Sequence, residues 1–548
     1  MQYGNSNVKM HGVPATKFAQ AVPVQTNLLH AKQAHNMHAQ GGPVQHQQAP
    51  ERKFNDVGFA VLFWAHFALI VALGVTKGLP ELNGTADTSS IADYKYVPPS
   101  DVEVSAPGTE IIGGIVICLL VGIALALGYV KLCLMWGESL IHTSTRCMIA
   151  IYFIFGVLFA MSGYMGGAIL CLICGAITCC WYGCVQRHIP FAGQNLAVSC
   201  DAASQFPTLF MVAFGALLMN MVWNIVWFLA LVGVIQPSKS AVVTIDSATY
   251  DYELCTSVAF GAGFGSEYVC ADEQNDCCGC EDNEGGNEAF KDGACVSATM
   301  TQLTYFGMLV SFYWGSTVIS NVMHCVTAGA VATWWFKTDL GSTPVFDSFY
   351  RAMTTSFGSI CLGSLLVAIL KATRQMLREA RKNRNAQMFL CIIECCLSFI
   401  ESLLEYFNRY AFCYVAIYGM DFKSAGKAVF DLFRSKGWTT IINDDLIDTA
   451  LSFGCLGCGI LTGFIGWSYS VGIGVSSDYQ LVLFICGLIA GYAMSQVTLN
   501  VISSAVATVF VCFAENPAAL QNTRPERFNQ LNNAWRTYQG DNGYVGAF

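Results

Sequence analysis

Ten stretches of this chain are long and apolar enough to cross a lipid bilayer, and that pattern constrains the fold before any motif is read. They fall at 57–76, 111–135, 147–165, 166–186, 207–235, 304–336, 347–370, 388–418, 449–473 and 479–513. A crossing of roughly 30 Å of hydrocarbon takes about 20 helical residues. Charged residues make up only 12% of the 548 positions, where a soluble protein carries about 25%. With 54% hydrophobic residues, too little polar surface remains to coat a soluble globule. The pattern predicts an all-α polytopic membrane protein of about ten helices. The helices from 147 to 186 are predicted to turn at Gly166-Gly167.

The helices group into a first half at 54–235, with five spans, and a second at 304–513. Residues 1–53 are polar, rich in Gln, His, Ala and Pro, and predicted to be a disordered cytoplasmic tail without a cleavable signal. A second cytoplasmic tail is expected at 514–548. Two loops read as external. Residues 77–110 set Lys77 and Lys95 against six acidic residues and contain the glycosylation sequon Asn83-Gly84-Thr85. Residues 236–303 carry eight carboxylates between Asp272 and Asp292, opposed only by Lys291. That loop also holds Cys255, Cys270, Cys277, Cys278, Cys280 and Cys295. An even set of six in an acidic external loop predicts disulfides, with no pairing assignable from spacing. Cys277, Cys278 and Cys280 are too crowded for a zinc site, and no metal or other cofactor is expected. The net charge of −9 is unevenly spread and says little about nucleic acid, but no basic groove is evident and no nucleic-acid partner is expected.

One segment resists simple topology. The linker 371–387 holds Lys371, Arg374, Arg378, Arg381, Lys382 and Arg384 against Glu379 alone. Alternation of spans puts it outside, whereas positive charge favours the cytoplasm. On the second reading, 388–418 would lie in the membrane plane, and Cys391, Cys395 and Cys396 would be placed for acylation.

A charge within a span costs about 2.5–3.5 kcal/mol, so each needs a reason. Glu394, Glu401 and Glu405 fall within roughly 40° of arc at about 100° per residue, and Asn408 extends the stripe. The stripe fits either an acidic line along a cation path or an amphipathic face with Glu405 paired to Arg409 or the basic linker. His66 and His324 lie well inside apolar runs, as titratable switches or as hydrogen-bonded core residues. A quaternary ammonium ion offers no N–H donor and is best held by aromatic faces. Trp64, Trp223, Trp227, Tyr313 and Trp314 lie at depths where such a cage would form. Trp334, Trp335 and Phe336, beside Lys337, read as an interfacial belt. Gly358, Ser359, Gly363 and Ser364 give one helix a small-residue edge for close packing.

Four segments together resemble the choline transporter-like (solute carrier 44) family. They are VTAGAVATWWF at Val326–Phe336, SFYRAMTTSFGSICLGSLLVAIL at Ser348–Leu370, CLSFIESLLEYFNRYAFCYVAIYGMDFKSAGKAVF at Cys396–Phe430 and FAENPAALQNTRPERF at Phe513–Phe528. The resemblance is specific from about 304 to 530. It implies a carrier of about ten helices in the plasma membrane or an organelle membrane, with both termini cytoplasmic. Its implied substrate is choline or a related small cation such as ethanolamine, moved without covalent chemistry. The candidate substrate residues are Trp64, His66, Trp223, Tyr313, Trp314, His324 and Glu401. A scaffold or receptor acting through the cysteine-rich loop is the alternative. No HExxH, GxSxG or P-loop motif points to an enzyme.

Overall fold

The computed structural model describes residues 53–82, 108–234, 302–341, 343–381 and 387–539, with four short strand segments between 244 and 279. The expected N-terminal tail, Asn83, and Cys255, Cys280 and Cys295 lie outside the described residues. Cys270 and Cys278 face one another in register on two paired three-residue strands, Val269–Ala271 and Cys277–Gly279; their side chains are not among those described.

The rest is helical. Helix α1 (Val57–Leu73) continues through a π-turn at Gly74–Gly78. Helix α2 (Gly108–Met161) breaks at Trp136, and α3 (Met165–Val185) folds back along its second part. After a 3₁₀ turn come α4 (Ile189–Ser204) and α5 (Pro207–Val234). The second half holds α6 (Gln302–Phe336), α7 (Pro344–Met353), α8 (Phe357–Ala380), α9 (Gln387–Tyr418), α10 (Phe422–Gly472) and α11 (Ser477–Glu515). Two short helices follow, α12 (Pro517–Thr523) and α13 (Pro525–Gln539). Among the described residues, seven helices are long and apolar enough to cross a membrane. The longest has the length of two crossings, one on each side of Trp136. With α6 and α9, segments of crossing length reach the expected ten.

The hairpin turn falls at Ser162–Tyr164, earlier than the Gly166-Gly167 expectation. Gly163 takes a φ of +81°, which glycine adopts without steric cost. Gly167 instead makes room for the Tyr164 ring, which a Cβ would strike.

The bundle has a near end, where α1 begins, and a far end. Helices α1 and α5 run parallel to the far end, where Gly233 packs on Lys77 and Gly78 without room for a side chain. Helix α6 starts there, and the broken helix α7–α8 runs back along it. Gly329 meets Ser348, and Trp314 Nε1 donates to the Cys361 carbonyl at 3.0 Å. The 347–370 run is therefore interrupted at 354–356 rather than continuous. Helix α9 is antiparallel to α8, so it stands beside that helix instead of lying across it. The basic segment consequently sits at the far end, the same end from which 83–107 and 235–301 leave, as span alternation predicts.

What allows this is a charge zipper. Lys371 pairs with Glu405, Arg374 with Glu401, and Arg378 with Glu394, each at 2.7 Å; Arg381 reaches Glu394 at 3.0 Å. The acidic stripe of α9 neutralises the basic stripe of α8. Glu405 thus takes the linker, and Arg409 is left for other partners.

The near end is closed by the residues preceding α1. Asp56 is the one non-glycine residue with positive φ among those described, at 52°. Its carboxylate accepts from Ser359 Oγ at 2.6 Å and from the Phe422 N–H at 3.0 Å. Asn55 donates from its backbone N–H to the Thr355 carbonyl at 3.1 Å and from Nδ2 to the Gly419 carbonyl at 2.8 Å. Gly358 lies against this backbone with no space for a Cβ. The small-residue edge of α8 thus has specific partners. Gly363 lies against the rings of Phe412 and Phe422, and Ser364 Oγ accepts from Asn321 at 2.9 Å.

Trp334 and Trp335 are buried rather than arranged as an interfacial belt. Trp335 Nε1 donates to the Asn516 carbonyl at 3.0 Å, and the Arg524 guanidinium stacks 4.2 Å from the Trp334 ring. These contacts dock the C-terminal helices on the near end, where Arg527 also pairs with Asp201 at 2.8 Å.

Candidate cation site

The aromatic residues singled out from the sequence divide. His66, Trp223 and Trp314 converge with Phe63, Phe67 and Phe357. The His66 ring stands between the two indoles, 5.8 Å from Trp223 and 4.9 Å from Trp314. His66 Nε2 bonds Ser311 Oγ at 2.7 Å. Trp223, Trp227 and Trp314 spend their indole N–H groups on the carbonyls of Phe312, Met308 and Cys361. Gly315 has no Cβ, which lets the Trp223 indole lie against its backbone. Walls of a cage are present, with an imidazole filling the space between them. Trp64 is at the rim and half exposed, and Tyr313 packs on Phe312 at 5.3 Å, away from the cluster. Glu401 belongs to the zipper.

His324 lies in another region. Its Nε2 faces the Arg409 carbonyl at 2.8 Å and therefore donates; its Nδ1 meets Ser504 Oγ at 2.9 Å. A neutral ring satisfies both contacts, pinning α6 to α9 and α11. The adjacent Arg409 is the centre of a second charged group in the interior.

Arg409 Nη1 reaches Asp448 Oδ2 at 3.1 Å and lies 3.9 Å from Asp444 Oδ2. Its Nη2 donates to the Ser503 carbonyl at 2.8 Å and to Ser503 Oγ at 2.7 Å. Ser503 Oγ in turn donates to Asp448 Oδ1 at 3.1 Å. Asp444 is buried and accepts from Tyr410 OH at 2.7 Å and from Asn443 Nδ2 at 3.3 Å. The Asp448 side chain is 46% exposed, so one carboxylate of the pair remains accessible. Two carboxylates share one guanidinium, inside a helix that is apolar enough to cross a membrane.

Aromatic faces adjoin that charge. The Tyr406 ring stacks on Phe433 at 5.4 Å and meets Tyr410 edge-on at 5.4 Å. Tyr410 meets Phe433 at 5.3 Å. The Tyr406 hydroxyl is buried without a hydrogen-bond partner. A half-exposed carboxylate beside tyrosine faces is the combination that attracts a small organic cation. The sequence reading passed over Asp444 and Asp448. Their i, i+4 spacing in one helix, with Arg409 on an apolar stripe, was the available signal.

These features define a class: an integral membrane bundle whose interior carries charge. Residues 169–518 match the family described as plasma-membrane choline transporter, and the chain belongs to that family, whose role is membrane transport. The match starts well before 304, so it also takes in Trp223 and α5. Among curated relatives, protein PNS1 of Debaryomyces hansenii is 26% identical over 495 residues, covering 87% of this chain and 86% of its own length. A CTL-like protein of Dictyostelium discoideum is 25% identical over 488 residues, covering 87% of this chain and 74% of its own.

Proposed function

We propose that this protein carries choline, or a related small cationic alcohol such as ethanolamine, across the plasma membrane by alternating access. In this reading the near end faces the cytoplasm, and the cation pairs with the Asp444–Asp448 carboxylates against the faces of Tyr406 and Tyr410. The observation that carries it is the pair of carboxylates sharing Arg409 beside those rings. A quaternary ammonium group needs a counter-charge and aromatic surface, and the site offers both. The hydroxyl of such a substrate finds an acceptor on the exposed carboxylate of Asp448.

The ties at Asn55 and Asp56, together with a cavity of only about 10 Å³ at the break between α7 and α8, support reading this conformation as closed at the near end. Such a cavity holds about one water. The test is uptake of labelled choline by purified protein in liposomes. Saturable uptake, competed by tetramethylammonium and weakened in Asp448→Asn, is expected. Liposomes no more permeable to choline than protein-free ones would end the proposal.

A further inference from the structure

The chain's cysteines separate by burial. Cys118, Cys133, Cys200, Cys325, Cys361, Cys413, Cys455, Cys458 and Cys512 are packed inside the bundle. Cys179, Cys180 and Cys184, by contrast, are free thiols exposed on the last two turns of α3. Helix α3 packs on α2, and its buried residues are few: Ala168, Gly175, Tyr182 and Val185. Its other faces are exposed and apolar, with Leu170, Leu172, Ile173 and Ile177 among them. In a bilayer those faces meet acyl chains.

The level of the three thiols is marked independently. Tyr182 OH lies between them in sequence, 2.8 Å from His142 Nδ1, and accepts from Arg146 Nε at 3.1 Å. Arg187 follows one turn after Cys184, at the close of α3. An aromatic hydroxyl between two polar side chains, with arginines on both helices of the hairpin, places this turn at the membrane surface of the near end. No group of three or more His, Cys, Asp or Glu side chains suited to a metal ion occurs among the described residues, so the trio is not a metal site. The exposed cysteines flagged from sequence, Cys391, Cys395 and Cys396, sit at the start of α9 and therefore at the opposite end.

We infer that Cys179, Cys180 and Cys184 form an S-acylation site, modified by a long-chain acyl-coenzyme A. The cysteine sulfur attacks the acyl carbonyl and forms a new thioester, the bond to the coenzyme A sulfur breaks, and coenzyme A leaves as the thiol with the proton the cysteine gave up. The attached chain lies along the exposed apolar face of α3. The inference requires the near end to face the cytoplasm, where acyl-coenzyme A is available, but it does not require choline to be the substrate.

The experiment uses the full chain expressed in eukaryotic cells. Free thiols are blocked, thioesters are cleaved with hydroxylamine, and each released thiol is tagged with a maleimide-polyethylene glycol that shifts the band. A hydroxylamine-dependent ladder of one to three shifted bands is expected. It should vanish in Cys179→Ser/Cys180→Ser/Cys184→Ser and persist in Cys391→Ser/Cys395→Ser/Cys396→Ser. A ladder absent from the unaltered chain, or one that survives the first triple substitution, overturns the assignment. The three single variants Cys179→Ser, Cys180→Ser and Cys184→Ser, of which at least one must lose a band, guard against a triple variant that fails to reach the membrane.

Discussion

Two of the bundle's aromatic clusters differ in what their polar groups do. Around His66, each indole N–H is spent on a backbone carbonyl and the enclosed space is filled by imidazole. Around Tyr406 and Tyr410, the rings adjoin two carboxylates and one arginine, and the Tyr406 hydroxyl has no partner. The first cluster spends its Trp223 and Trp314 N–H groups, leaves His66 Nδ1 without a partner, and joins α1, α5, α6 and α8. The second keeps a half-exposed carboxylate, Asp448, near a tyrosine hydroxyl with no partner. Aromatic side chains in a membrane interior do not mark a cation site by themselves; a counter-charge beside them is needed as well.

The largest effect that would break this contrast comes from Arg409. Replacing it with Met leaves Asp444 buried beside an unneutralised Asp448, at a cost of about 3–5 kcal/mol. Loss of the folded peak on detergent size exclusion is expected, with choline uptake lost as well. Trp223→Ala in the first cluster should cost a comparable amount, about 3–5 kcal/mol, through the cavity it opens. The distinction is that the transporter that still folds keeps the KM of the unaltered protein. A KM rising tenfold there would move the site to the first cluster.

Asp56→Ala removes the acceptor for Ser359 and Phe422. Hydrogen bonds to charged groups contribute about 1.5–3 kcal/mol, so a lower thermal midpoint in detergent is expected. Tyr406→Leu should raise the KM for choline about 2- to 30-fold, the range set by about 0.5–2 kcal/mol of cation–π attraction, while Tyr406→Phe keeps most of the affinity. The smallest change is at the zipper's half-exposed rung. Lys371→Met/Glu405→Gln should alter stability by less than about 1 kcal/mol and leave uptake intact. A large loss there would give the far-end ion pairs a part in transport.

The sequence located most helices to within a few residues because apolar runs of crossing length have few alternative structures in lipid. Its failures have local causes. Thr354, Thr355 and Ser356 interrupt α7–α8 although none is a strong helix breaker; the interruption follows from tertiary contacts with Asn55 and Asp56. Trp334 and Trp335 resemble a lipid anchor in composition, and only the docking of Asn516 and Arg524 buries them. The zipper was half legible. Lys371, Arg374, Arg378 and Arg381 recur at three- and four-residue spacing, the mark of a helical face, and the glutamate stripe matches it. Asp444 and Asp448 stand just ahead of the 449–473 run, so they read as loop residues until α10 is seen to begin at Phe422 and pass through them.

The tie at Asn55 and Asp56 also restricts how the molecule moves. Two adjacent residues fasten the start of the first helix to the interruption before α8 and to the turn before α10, through backbone and carboxylate together. While those bonds hold, the three segments are fastened to one another through two neighbouring residues. Under the proposed alternating access, parting any of them at the near end has to break bonds to Asn55, Asp56 or both.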